Sequence, residues 1–145
     1  MSTGLSGKMY VKEVDADIAP LEVELQQISA KYGFSPSILK VHKNKKYWRI
    51  EMEDVDELCL ADTYGEDPEC IPEYIWDSIR AMLTILFEEE GIEYVDITPY
   101  NFIEKNGRIY VIDFGDAKYT NKFEEPNWFL TEFLDGKNSW NPDYK

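Results

Sequence analysis

The feature that most constrains the fold is one long amphipathic segment in the middle of the chain. After Pro72, apolar side chains recur at helical spacing until Gly91, and they are Ile75, Trp76, Ile79, Met82, Leu83, Leu86 and Phe87. Glycine commonly follows the last turn of a helix, so Gly91 marks its end. A helix of about five turns with one apolar face must be covered by the rest of the chain.

Composition sets the class of protein and its partners. The chain has 145 residues, 43% of them hydrophobic, which suits one folded domain and argues against a disordered tail or a coiled coil. Its 15 Lys and Arg against 29 Asp and Glu give a net charge of −14, which opposes nucleic acid and anionic membranes as partners. No apolar run is long enough for a membrane span and Met1–Gly7 does not resemble a signal peptide, so we expect a soluble, cytoplasmic protein.

Shorter segments before the long helix predict a small sheet with one helix against it. Lys8–Val14 alternates charged and apolar residues as a half-buried strand does, and Gly4 and Gly7 predict a turn before it. Pro20 opens a helical pattern that ends at Gly33, with an apolar face of Leu21, Leu25, Ile28 and Tyr32. Two more strands, Ser37–Lys43 and Lys46–Glu53, are predicted on either side of an Asn44-Lys45 turn.

The remaining segments predict a connection, a hairpin and a last helix. The acidic segment Glu53–Glu69 has weak periodicity, which indicates a connection with a boundary near Asp54–Asp56. Asn106-Gly107 between two apolar runs is a strong hairpin signal. The predicted elements after the long helix are a short segment Ile92–Val95, a polar loop Asp96–Asn101, strands Phe102–Glu104 and Arg108–Ile112, and a helix Trp128–Leu134.

Two common kinds of catalytic centre have little support. Cys59 and Cys70 lack the Cys or His companions of a zinc site and do not suggest a disulfide framework, so we expect buried or idle thiols. His42 is the single histidine and lies in a basic stretch, which makes a nucleophile–histidine triad hard to build. We expect a solvated histidine there.

The segment Tyr94–Gly115 carries the candidate chemistry. Asp96 follows the long helix, Asn101 comes five residues later, and Asp113-Phe114-Gly115 follows a hairpin twelve residues after Asn101. This layout resembles the D-x-x-x-x-N catalytic loop and D-F-G metal loop of the protein-kinase-like fold. Phosphoryl transfer needs a group that orients the attacking hydroxyl and oxygen ligands for magnesium. The alternative is that these residues only form turns and caps. It explains each residue by itself, but not the spacing of the two motifs, the hairpin between them and the long helix before them.

The resemblance implies an architecture and a set of roles. We expect an α+β, two-lobe kinase-like fold, strongly reduced, with a β-sheet lobe and one helix at 1–53, a hinge and linker at 54–71, and a small helical lobe with the catalytic-loop hairpin at 72–145. ATP and Mg²⁺ are the implied cofactors. Asp96 would act as base or orient the hydroxyl, and Asn101 and Asp113 would bind the metal. Lys12, where kinases carry the lysine of V-A-I-K, would bind phosphates and pair with Glu22 or, as the alternative, Glu24.

The hinge and catalytic loop narrow the resemblance. Residues 49–55 resemble the strand that enters a kinase hinge, which makes Met52 the gatekeeper and the backbone of Glu53 and Val55 the adenine contacts. Met-Glu-Asp-Val and Asp-Ile-Thr-Pro-Tyr-Asn are most similar to the small atypical kinase of the KEOPS tRNA-modification complex and to lipopolysaccharide or aminoglycoside kinases. Departures include Thr98 in place of the usual lysine, no glycine-rich loop and no Ala-Pro-Glu, so we expect little platform for a protein substrate.

Two classes of function remain open. One is a phosphotransferase, either an atypical Ser/Thr protein kinase or a small-molecule kinase or ATPase, whose unidentified acceptor is a protein, with basic peptides tried first, or a small molecule. The other is a pseudokinase that acts as a nucleotide-binding or protein-interaction module. Aromatic residues after Gly115 either cover the long helix or form a patch for a homodimer or another partner, and they are Phe123, Trp128, Phe129, Phe133, Trp140 and Tyr144.

Overall fold

Three antiparallel strands form a sheet in the order β1-β3-β2. In the computed structural model, which describes residues 8–144, they are β1 (Met9–Asp15), β2 (Ile38–Lys43) and β3 (Tyr47–Glu53). The Asn44 side chain closes the turn between β2 and β3, because its Oδ1 accepts hydrogen bonds from two backbone N–H groups, each at 2.8 Å. The three predicted strands are confirmed, while the turn predicted at Gly4 and Gly7 lies outside the described residues.

Helix α1 (Ala19–Lys31) packs against this sheet, and its predicted apolar face is confirmed only in part. Leu25 is fully buried and Ile28 packs against a hydrophobic core, as predicted. Leu21 and Tyr32, which were expected on the apolar face, are exposed.

The buried face of α1 also carries polar groups. Gln26, for example, is 2% exposed and its Nε2 donates a hydrogen bond to the Pro36 carbonyl at 2.9 Å. Because hydrogen-bond partners inside the protein satisfy these polar side chains, the face that carries them can be buried.

The acidic segment Glu53–Glu69, predicted as a plain connection, contains helix α2 (Leu60–Tyr64) and a 3-10 turn at Pro68–Cys70. A five-residue helix is too short to show a helical period, and tertiary contacts hold it. Leu60 is 1% exposed, and the backbone N–H of Ala61 donates to the Pro99 carbonyl at 3.0 Å. The lobe boundaries at 53 and 71 stay a prediction.

The larger apolar core surrounds helix α3 (Glu73–Glu90), which confirms the long amphipathic helix. Gly91 ends it in a left-handed conformation with φ +66°, and its N–H bonds to carbonyls of the last turn. Leu25 of α1 also belongs to this core, so α1 contacts both the sheet's cluster and the α3 cluster. Among the described residues, no helix combines the length and the apolar character that crossing a membrane requires.

Short strands follow α3 and flank the segments that contain Asp96 and Asp113. They are β4 (Ile92–Glu93), β5 (Phe102–Lys105), β6 (Arg108–Val111) and β7 (Lys118–Tyr119), which pair as β4 with β7 and β5 with β6. Asn106 and Gly107 have φ values of +53° and +78°, so the predicted two-residue turn is confirmed. The pairing of β7 with β4 was not predicted, because a two-residue strand leaves no alternation to detect.

Helix α4 (Trp128–Leu134) confirms the last predicted helix and covers part of α3. The aromatic residues around it do not form one patch, however. Phe129 and Phe133 are buried in the larger core, whereas Phe123 and Trp128 are 85% and 62% exposed. A partner or homodimer contact through this region is therefore reduced to Phe123 and Trp128, and it stays a prediction.

Candidate active site

A cleft of about 450 Å³ lies between the sheet and the β5–β6 hairpin. Its wall brings together side chains from distant parts of the chain, including Lys12 of β1, Val55 after β3, Asn101 before β5 and Asp113 after β6. This volume falls within the range of small-molecule sites in proteins. The cleft is therefore the place to look for ligand chemistry.

Lys12 and Glu22 form an ion pair at this cleft. The Glu22 side chain is 4% exposed, and Lys12 Nζ also lies 3.5 Å from Asp113 Oδ1. Burial lowers the pKa of Lys12, but the charge of Asp113 and the hydrogen bond and charge of Glu22 outweigh burial and raise this pKa above its ordinary value. Lys12 is therefore a fixed cation between two carboxylates.

Glu24, the alternative partner, faces away from Lys12. Its Oε2 accepts a hydrogen bond from the Tyr119 hydroxyl, and this bond raises the pKa of Tyr119 to about 12. Residues two apart on a helix do not share a face, so only one of the two glutamates can reach the cleft. The structure pairs Lys12 with Glu22.

The Asp113-Phe114-Gly115 segment is held by its aromatic residue. Phe114 is 1% exposed and packs edge-to-face on Tyr94, with ring centroids 5.4 Å apart. The backbone N–H of Gly115 donates to Asp113 Oδ1 at 2.8 Å. With Phe114 anchored in the core, the Asp113 side chain stays 41% exposed at the cleft.

Asn101 joins the loop that carries Asp96 to the strand end that carries Asp113. Its Nδ2 donates to the backbone carbonyl of Asp96 at 2.8 Å, and its own carbonyl accepts from the N–H of Ile112 at 3.1 Å. These two bonds hold the loop with Asp96 next to the strand end with Asp113. Because Nδ2 is the donor, Oδ1 is the atom with which Asn101 can bind a cation.

Asp96 is a buried carboxyl group with little to hold its charge. The residue is 9% exposed, and within residues 8–144 its Oδ1 has no hydrogen-bond partner. Burial is the main reason that the pKa of Asp96 rises to about 6; the Asn101 amide opposes this rise, and the charges of Asp113 and Asp116 add to it. Raised carboxyl pKa values of this kind are concentrated at functional sites.

The carboxylates at this end of the cleft fit a divalent cation that arrives with phosphate. Within the described part of the chain, no three His, Cys, Asp or Glu side chains are grouped closely enough to hold a metal by themselves. Magnesium commonly takes one or two protein carboxylates and completes its shell with phosphate oxygens and water. Asp113 and the amide oxygen of Asn101 match that donor set.

The predicted hinge residues differ in what they present to the cleft. Glu53 and Val55 both line it, and the Val55 carbonyl accepts a hydrogen bond from Lys105 Nζ at 2.7 Å. The Met52 side chain is 3% exposed in the cluster between the sheet and α1, where Gln26 Nε2 donates to its sulfur at 3.4 Å. Met52 is not among the described residues that line the cleft, so a gatekeeper contact by its side chain has no support.

Cys59 is a cleft residue that the sequence did not reveal. Predicted as a buried or idle thiol, it lines the cleft at the start of α2, and its Sγ donates a hydrogen bond to Asp62 at 3.3 Å. Burial is the main reason that the pKa of this thiol is raised. Cys70 is exposed rather than buried. Both positions depend on α2 and the turn after it, which sequence patterning missed.

The sheet with one helix, the cleft and the loop hairpin together have the architecture of a protein kinase in small form. Structural comparison agrees: the kinase PK-1 of Cydia pomonella granulovirus superimposes with a TM-score of 0.66 at 17% identity, over 82% of this chain and 46% of that one. The predicted α+β, protein-kinase-like fold is therefore confirmed.

Sequence comparison finds a relative among small kinases. The chain is 27% identical over 129 residues to the protein named "Probable serine/threonine-protein kinase BUD32 homolog" from Archaeoglobus fulgidus. The match covers 86% of this chain and 60% of that protein, so the chain spans about three fifths of its curated relative and just under half of the viral kinase. No family model matches the chain.

Proposed function

We propose that this chain is an ATP- and Mg²⁺-dependent phosphotransferase. The proposal rests on one observation: a residue from each of the two kinase-like motifs lines the same cleft as Lys12 of the first strand. Lys12 Nζ and Asp113 Oδ1 are 101 residues apart in sequence and 3.5 Å apart in space, at the cleft that Asn101 also lines. A chance aspartate in a turn would not be placed beside a lysine that is itself paired with a buried glutamate.

Each residue has a role that follows from its surroundings. Lys12, kept charged and oriented by Glu22, binds phosphate oxygens. Asp113 and Asn101 would hold Mg²⁺, which when bound neutralises charge on the phosphates. Asp96 orients the acceptor hydroxyl and takes its proton on a carboxyl oxygen; with a pKa of about 6, this group is mostly ionised at pH 7 to 8.

The other end of the cleft would hold the adenine. We assign backbone groups of Glu53 and Val55 to the edge of the base, because both residues line the cleft where the chain leaves β3. Ile103 and Ile112 line the same cleft and supply apolar surface for its faces.

The acceptor is proposed only by class. The curated relative's name specifies serine and threonine, and a net charge of −14 favours approach of basic peptides, so a basic Ser/Thr peptide is the first acceptor to test. A small hydroxyl compound or water is the second. A cytoplasmic location, where ATP is abundant, is part of the same proposal.

Transfer of the γ-phosphate tests the function. The purified chain is incubated with γ-labelled ATP and Mg²⁺, with a basic Ser/Thr peptide, with an aminoglycoside and with no acceptor. We expect labelled product or free phosphate that EDTA abolishes. If ATP is neither hydrolysed nor transferred although it binds, the pseudokinase alternative replaces the phosphotransferase.

Substitution of the two helix glutamates separates the Lys12 partner from its neighbour. We expect Glu22→Gln to lower turnover by about 10- to 100-fold, because Lys12 loses the charge that orients it. Glu24→Gln, the matched control, removes the same charge at the side chain that accepts from Tyr119, and it should keep turnover within about twofold. Steady-state rates of ADP formation measure both. Equal losses in the two variants would contradict the assignment of Glu22.

A further inference from the structure

We infer that Asn141 is a positioning residue for the loop that carries Asp96, an inference that rests on the proposed function. Asn141 lies outside both kinase motifs, 45 positions after Asp96. It is 3% exposed, and it belongs to a short stretch of irregular chain, Trp140–Tyr144, which we name the anchoring segment.

Asn141 forms hydrogen bonds with the loop on both sides of Asp96. Its side-chain Nδ2 donates to the carbonyl of Val95 at 2.9 Å, and its backbone N–H donates to the carbonyl of Ile97 at 2.8 Å. Its Oδ1 accepts from the N–H of Asp143 at 3.1 Å, which uses the remaining polar atom of the amide within the segment. Asn141 thus joins the anchoring segment to the residue before the proposed base through its side chain and to the residue after it through its backbone.

Packing fixes the position of the anchoring segment itself. The Trp140 ring lies 4.4 Å from the Trp76 ring of α3 and 6.4 Å from the Phe102 ring of β5, measured between centroids. At the other end, the backbone N–H of Tyr144 donates to the Asn141 carbonyl at 3.3 Å. Burial and then the charges of Asp116 and Asp96 raise the pKa of Tyr144. The segment is therefore tied to α3 and the hairpin while it touches the loop.

The Asp96 side chain depends on this support from the backbone. Its Oδ1 has no hydrogen-bond partner among residues 8–144, so no such bond orients that atom directly. The position of this oxygen therefore follows the backbone of the loop, where Asn141 donates hydrogen bonds to the carbonyls of Val95 and Ile97. A proton acceptor must be within hydrogen-bond reach of the hydroxyl, and small displacements lower the rate steeply.

Asn141→Ala tests the inference in the full chain. Turnover should fall by about 10- to 100-fold while the KM for ATP stays within about twofold, because the Lys12 and Asp113 end of the cleft is untouched. In the protein without ligands, amide hydrogen exchange at Ile97 and Thr98 should accelerate by about tenfold or more. Asn138→Ala is the matched control, because the Asn138 side chain contacts Glu132 at 3.4 Å instead of the loop.

Each outcome decides the point. Unchanged turnover, or a KM for ATP that rises as turnover falls, would overturn a role in positioning Asp96. Unchanged amide exchange at Ile97 and Thr98 would overturn it even if the wild type transfers no phosphate, a result that would count against the proposed function separately. If Asn141→Ala does not fold, Asn141→Ser, which is smaller but polar, is measured by the same three readouts.

Discussion

Asp113→Asn should abolish the rise in melting temperature that ATP and Mg²⁺ together produce in the wild type. The substitution preserves the shape of the side chain and an oxygen that can accept from the Gly115 N–H, now at 2.8 Å from Asp113 Oδ1. It removes the negative charge that would bind the metal. The fold should therefore persist while the nucleotide–metal site is lost.

The expected size of this effect makes it easy to measure. A ligand at 100 times its Kd adds about 2.7 kcal/mol to the free energy of unfolding. For a chain of this length that corresponds to a rise of about 5 to 10 °C in the melting temperature. Thermal unfolding is recorded without ligand, with ATP and Mg²⁺, and with ATP and EDTA.

A surface aspartate provides the control for Asp113. The Asp135 side chain is 73% exposed and lies 3.8 Å from Lys137, so Asp135→Asn changes the net charge equally but leaves the cleft alone. Its ATP- and Mg²⁺-dependent rise should match that of the wild type. A rise that survives in Asp113→Asn would show that the metal is bound elsewhere, and no rise in any protein would remove ATP as the ligand.

Asp96→Asn should slow phosphoryl transfer strongly without weakening the fold. Loss of a general base typically lowers turnover by about 10²- to 10⁴-fold. Nucleotide binding should persist, because Lys12 and Asp113 are unchanged. Rates of transfer are measured together with the ATP- and Mg²⁺-dependent melting temperature, so that loss of chemistry is separated from loss of binding.

The raised pKa of Asp96 also predicts how stability depends on pH in the ligand-free protein. The folded-state pKa of about 6 exceeds the ordinary value of 3.8, so the folded chain binds the proton more tightly than the unfolded chain. The contribution of Asp96 to the free energy of unfolding therefore falls as pH rises from about 4 to about 6. Asp96→Asn removes this contribution, so it should be relatively more stable against the wild type at pH 8 than at pH 4.5.

Melting temperatures of both proteins at pH 4.5 and pH 8 test this sign. Asp77→Asn, in which an exposed carboxylate of α3 is replaced, is the control and should track the wild type at both values. A relative stability of Asp96→Asn that does not change between the two pH values would contradict the raised pKa.

Local signals explain which elements could be predicted. The long apolar face of α3 and the Asn106-Gly107 turn are encoded within a few neighbouring residues, and both agree with the structure. The motif spacing around Asp96 and Asp113 likewise required no knowledge of distant contacts. By contrast, α1 buries Gln26 and exposes Leu21. Contacts with the sheet and the Lys12–Glu22 ion pair set the orientation of this helix, and both involve residues distant in sequence.

Sequence by itself determined the α+β class, the principal strands and helices, and the types of residue in the candidate site. These features depend on short-range periodicity, turn residues and motif spacing. Tertiary structure decided which glutamate meets Lys12, that Met52 does not line the cleft while Cys59 does, and that Asn141 holds the Asp96 loop. Those contacts join residues far apart in the chain. Their partners are chosen by packing and by satisfaction of buried polar groups, which no local pattern encodes.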